Sequence, residues 1–187
     1  MNSKKMLAII IPIVVVVIAA TAGLSYYFGQ KTTSNNVAIS ETDNNFIRDL
    51  EKNLKSRSDL SNKTIKTAQK NPSEYDEQEY INSLIDCEKS ILEYKDASFD
   101  NPRLKKLSED YIAGLEKQIN SVTYYNADYS KYYDEWQDGA SERSVAIVAL
   151  IDEFNLKVSD ESITEFRNNA KAANEKNDQE KAVKALI

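Results

Sequence analysis

The sequence predicts an all-α protein: an N-terminal transmembrane helix followed by an extracytoplasmic bundle of four to five helices. Three observations carry this. The 187 residues include only 4 Gly and 3 Pro, which disfavours a turn-rich β fold. Apolar residues recur three and four positions apart along most of the chain, the period of an amphipathic helix. Residues 6–28, MLAIIIPIVVVVIAATAGLSYYF, carry no charge and as a helix are long enough to cross a hydrocarbon core of about 30 Å.

Lys4 and Lys5 precede that run and only Lys31 follows closely. The positive-inside rule therefore keeps residues 1–5 in the cytoplasm and sends the domain outside, a single-pass arrangement in the cell membrane. A cleaved signal peptide is the alternative, since Ala20-Thr21-Ala22 has the form of a cleavage site. Residues 29–40, GQKTTSNNVAIS, read as a flexible stalk.

The bundle is expected over residues 41–173. Phe46, Ile47, Leu50 and Leu54 share the face of a first helix, with Thr42 or Asp43 as its cap. Residues 58–77 are polar and end near Asn71-Pro72, which predicts a loop with at most one short helix. A second helix, EQEYINSLIDCEKSILEYKD, presents Tyr80, Ile81, Leu84, Ile85, Ile91 and Leu92. A third starts at Asn101-Pro102, a good cap followed by a residue suited to the first helical position. A fourth runs from about Asp128 to Phe154, where Asn155 can adopt the left-handed conformation that ends it. Ser159 caps a last helix, and residues 174–187 are expected to be loosely ordered or a weakly docked helix.

Residues 124–136, YYNADYSKYYDEW, hold six aromatic rings. At ~100° per residue, Tyr125, Tyr129, Tyr132, Tyr133 and Trp136 fall on one arc with Ile147, Leu150, Ile151 and Phe154. The same arc takes in Leu107, Tyr111 and Leu115 upstream. The rings therefore read as core, and the shared phase favours a third and fourth helix continuous through Asn126. Buried phenols need partners, so some hydroxyls should reach the rim and line any groove that exists. Glu88 and Arg143 lie in the middle of apolar arcs. Burying either alone costs several kcal/mol, so the two are expected to pair, or else to reach solvent along their stems. Glu88, Arg143, Tyr129, Tyr132 and Trp136 are the candidate buried polar and groove residues.

Much chemistry is excluded. With no histidine, and Cys87 as the lone cysteine, histidine triads are impossible and a transition-metal site is not expected. No phosphate-binding glycine loop or nucleophile elbow occurs. No cofactor is expected. Without Lys4 and Lys5, 22 basic residues face 30 acidic ones, a formal charge of −8 that disfavours nucleic acid as a partner. The lack of a possible disulfide points to a bacterial surface.

From about residue 41 to 166 the chain resembles a group of small, anchored, extracytoplasmic helical proteins of Gram-positive bacteria. The likeness rests on DNNFIRDLEKNL, YINSLIDCEKSILEYKDASFDNPRLKKLSEDYIAGLEKQ and YDEWQDGASERSVAIVALIDEFNLKV. It implies a helical topology and an envelope setting, and transfers no functional residue. The expected role is a non-catalytic envelope module, held to the membrane by residues 6–28, that binds a protein or peptide. The alternatives are a small-ligand receptor or enzyme acting on envelope material through a tyrosine-rich groove, with Arg143 as anion anchor, and a phage- or plasmid-encoded exclusion protein.

Overall fold

The computed structural model describes residues 40–184. Helix α1 (Glu41–Lys70) is capped by Ser40, whose hydroxyl accepts the Asp43 N–H at 3.2 Å. Thr42 and Asp43, the expected caps, lie inside its first turn. α1 continues through the polar stretch expected to be a loop and stops only at Asn71-Pro72. Polarity misled there: Leu60, Thr64 and Ala68 stay on the side facing α2, and the backbone yields only where proline forbids the helix.

Helix α2 (Glu77–Glu88), capped by Asp76, tightens into a 3₁₀ segment, Lys89–Tyr94. It runs antiparallel to α1, joined by Tyr80–Ser61, Arg57–Glu88, Ser90–Asn53 and Tyr94–Asp49 hydrogen bonds. Helix α3 (Pro102–Ser121) starts as expected, with Asn101 Oδ1 accepting the N–H groups of Arg103 and Leu104.

α3 and α4 (Tyr129–Phe154) are not continuous. A 3₁₀ turn, Val122–Tyr124, follows α3, and Asp128 caps α4 by accepting the Lys131 N–H. The chain reverses there, and α4 packs antiparallel on α3 through Arg103–Glu153 and Lys117–Glu142. Equal helical phase on both sides of Asn126 does not distinguish one long helix from two that bury the same face against each other. Asn155 takes φ 56, the left-handed end expected of it. Helix α5 (Asp160–Lys184) returns along α4.

The core gathers Phe46, Leu50 and Leu54 from α1, Ile91 from the 3₁₀ segment, Leu104, Leu107, Tyr111, Ile112 and Leu115 from α3, and Ala146, Ile147 and Leu150 from α4. At one end Tyr94 and Phe99 meet Phe46 edge-on, at 5.3 and 5.4 Å between centroids. Beside them the fully buried Asp43 accepts the backbone N–H groups of Asp100 and Asn101 at 3.2 and 3.1 Å. Asp43 thereby pins the loop before α3 to the first turn of α1. Replacing it with alanine strands both donors, and a loss of about 1–3 kcal/mol is expected in urea unfolding.

α5 is fastened differently. Ala170 is its one buried residue among those described, and Phe166 is only partly covered. Ion pairs Arg167–Asp152 and Lys176–Asp138, both 2.6 Å and partly exposed, hold it to α4. Salt screens such pairs, with a Debye length of about 3 Å at 1 M. Raising NaCl to that level should speed amide hydrogen exchange across residues 160–184 while leaving α3 and α4 unchanged.

The fold class is corrected accordingly. The described residues form an all-α fold of five helices without a strand, and none of those helices is long and apolar enough to cross a membrane. Even α1, with 30 residues, carries charges on nearly every turn. Residues 6–28, on which the anchor, the membrane partner and the single-pass location rest, lie outside the described residues, as do residues 1–5 and 29–39. The expected tail is helical as far as Lys184.

Candidate functional site

Four helices deliver polar side chains to one buried point. Glu88, the last residue of α2, is fully buried, and Arg143 in the middle of α4 is nearly so. Arg143 Nη2 donates to Glu88 Oε1 and, at 3.1 Å, to the Tyr111 hydroxyl. Its Nη1 donates to Gln118 Oε1, and the guanidinium lies 4.9 Å from the Tyr111 ring centroid. Tyr111 in turn donates to Glu88 Oε1 at 2.6 Å, and Arg57 Nη1 reaches Oε2 at 2.7 Å.

Burial alone would favour the neutral Glu88 carboxyl, but the Arg143 and Arg57 guanidiniums and the Tyr111 hydrogen bond outweigh it and hold its pKa below the ordinary value. Burial pushes the Tyr111 phenol up, so it remains a donor. Glu88 therefore has donors on both oxygens, no exposure and no route to a substrate proton. The arrangement ties helices together and has no open side for chemistry.

The structure thus brings Glu88 and Arg143 together. Sequence reasoning missed Arg57, Tyr111 and Gln118 as members of the cluster. A signal existed for Arg57: it follows Leu54 by three residues and so continues the Phe46–Leu50–Leu54 stripe. Close approach of α3 and α4 makes room for the cluster. Gly114 and Gly139 face each other, and a Cβ on Gly139 would lie 2.6 Å from the Gly114 carbonyl oxygen.

The tyrosines form a second cluster at the start of α4. Tyr125 and Tyr129 donate to the two oxygens of Glu77, at 3.0 and 2.9 Å. Burial and then this carboxylate raise the pKa of both phenols. The rings of Tyr125, Tyr129 and Tyr132 pack on one another at 5.1–5.6 Å, and Trp136 lies 6.0 Å from Tyr132. The expected common inward arc splits here. Tyr132 is buried, Trp136 half-buried, and Tyr129 and Tyr133 are exposed at 41% and 39%. α3 ends at Ser121, and its last contacts run from Lys117 and Gln118 to Glu142, Asp138 and Trp136, so the first turn of α4 lies beyond them.

Among the described residues, no groove opens between these rings. Mutual centroid separations near 5 Å leave no slot between Tyr125, Tyr129 and Tyr132, and Arg143 is engaged by Glu88 rather than poised for an anion. Arg143 is therefore not placed as the anion anchor of such a groove. A separate cleft of about 200 Å³ opens between the C-terminal half of α1 and the start of α2, lined in part by Leu60, Ala68, Tyr75, Asp76, Glu79 and Tyr80. Among the described residues no group of three or more His, Cys, Asp or Glu side chains is placed to hold a metal ion.

No protein-family model, curated protein or solved structure matches the chain. The resemblance to anchored Gram-positive proteins finds no support there, and the membrane-anchored envelope and exclusion-protein roles are corrected because no helix among the described residues is long and apolar enough to cross a membrane.

Proposed function

We propose that this domain is a non-catalytic helical scaffold that meets other molecules through its outer surface. The observation carrying this reading is the internal saturation of its most reactive-looking group: both oxygens of the buried Glu88 are taken by Arg143, Arg57 and Tyr111. A catalytic carboxylate must reach its substrate, directly or through one water. A small-molecule pocket is ordinarily about 300–1,000 Å³, larger than the cleft of about 200 Å³ beside α2.

A thermal-shift screen of the full chain against a metabolite library, run beside a Glu88→Met/Arg143→Met double variant, tests the reading. No compound should stabilise the wild type in a way that the double substitution abolishes. A compound that raises the wild-type melting temperature by several degrees, and loses that effect in a double variant that remains folded, would overturn it.

A further inference from the structure

We propose that the cleft between α1 and α2 is an anchor pocket for one arginine side chain of a basic segment in a protein partner. The inference rests on the scaffold reading and names the surface that does the binding.

The cleft's size suits a single long side chain better than a free ligand. Its lining mixes apolar, aromatic and acidic side chains. Leu60 and Ala68 supply apolar surface beside the hydroxyl-bearing Thr64, Thr67 and Ser83, and the rings of Tyr75 and Tyr80, 6.1 Å apart and inclined at 53°, supply two adjoining aromatic faces. Tyr80 is fixed in place by its hydroxyl, which donates to Ser61 Oγ at 2.9 Å. Asp76 and Glu79 stand at the rim. Asp76 uses Oδ1 to cap α2, while the Glu79 side chain makes no ion pair among the described residues. Lys63, across the cleft on α1, is outnumbered by these two carboxylates.

An apolar stem, aromatic faces and a carboxylate at the mouth are what an arginine side chain satisfies in turn. Its methylenes cover apolar surface, its planar guanidinium stacks on a ring, and its donor fork matches a carboxylate. Lysine offers the stem and the charge but stacks less well and cannot present the fork. The neighbouring surface extends the same chemistry. Glu77, next to Asp76, adds negative charge although its oxygens already accept from Tyr125 and Tyr129, and Tyr129 is 41% exposed beside it. Tyrosines of this kind are common at protein interfaces. The chain's formal charge of −6 favours a basic partner over an acidic one.

Fluorescence polarisation with the full chain and a labelled hexapeptide of alternating glycine and arginine tests the proposal, with the lysine counterpart as control. The arginine peptide should bind saturably at 150 mM NaCl and at least about fivefold more tightly than the lysine peptide. Glu79→Gln should weaken it several-fold, and Ala68→Trp, which fills the cleft, should abolish it; circular dichroism must show both variants folded. Equal binding of the two peptides, or arginine binding untouched by both substitutions, would overturn the anchor pocket. Absence of binding would overturn it too, while a silent metabolite screen would leave the scaffold reading standing.

Discussion

Arg143→Met alone should lower the unfolding free energy by about 3–5 kcal/mol, seen as a fall in the urea midpoint at unchanged slope. For a chain of this size that corresponds to a melting temperature lower by on the order of 10 °C. Arg143 is the main counter-charge of a carboxylate with no exposure, and its removal leaves Glu88 with Arg57 and the Tyr111 hydroxyl alone. Most of the loss is the stranded charge rather than the net worth of the pair. Glu88→Met/Arg143→Met should therefore recover much of it, because an apolar replacement of a buried ion pair is often neutral. A double variant as unstable as the single one would show that the network contributes more than mutual compensation.

The same cluster sets an acid dependence. The folded-state pKa of Glu88 lies below its ordinary value of 4.5, so the unfolded chain takes up its proton first as the pH falls. Stability from Glu88 is fully present above about 4.5 and is lost as the pH falls through the depressed folded value. Urea midpoints followed downward from pH 7 should decline below that point in the wild type, and decline less in Glu88→Gln. Other carboxylates will contribute to the wild-type curve, so the difference between the two proteins is the measurement that counts.

The second large effect is expected from a single methyl group. On an open helix surface, Gly→Ala adds roughly 1 kcal/mol of stability. At Gly139 the new Cβ would lie 2.6 Å from the Gly114 carbonyl oxygen and 2.8 Å from Gln118 Cγ. The oxygen belongs to the α3 backbone, so the contact can be relieved only by moving α3 and α4 apart. Gly139→Ala should therefore destabilise by about 1–3 kcal/mol despite its better helix propensity. It should also be non-additive with Arg143→Met, because separating the helices displaces the Gln118 partner of Arg143 as well. A stabilised Gly139→Ala variant would show that the hairpin has slack that the close approach conceals.

How much of this was legible beforehand differs by element. The α3 start at Asn101-Pro102 and the α4 end at Asn155 were legible because each is a local matter of capping and backbone conformation. Glu88 and Arg143 stood out as charges on apolar arcs, a pattern that periodicity exposes. The helical path of residues 58–70 was not legible, since polar residues at helical spacing look the same in an exposed helix and in a loop. Asp43 was mistaken for a cap because its partners, Asp100 and Asn101, come more than fifty positions later.

By itself, the order of residues determined that the chain would be helical, that one helix would start at Asn101-Pro102 and another end at Asn155, and that Glu88 and Arg143 would lie on apolar arcs. Those are consequences of period, propensity and capping, each acting within a turn or two of helix. Only the tertiary structure decided that α3 and α4 fold back on each other, that Arg57 and Tyr111 join the ion pair, and that Tyr129 faces solvent while Tyr132 does not. Helical phase specifies which way a residue points along its own axis. Whether anything stands there to cover it depends on where the neighbouring helix ends.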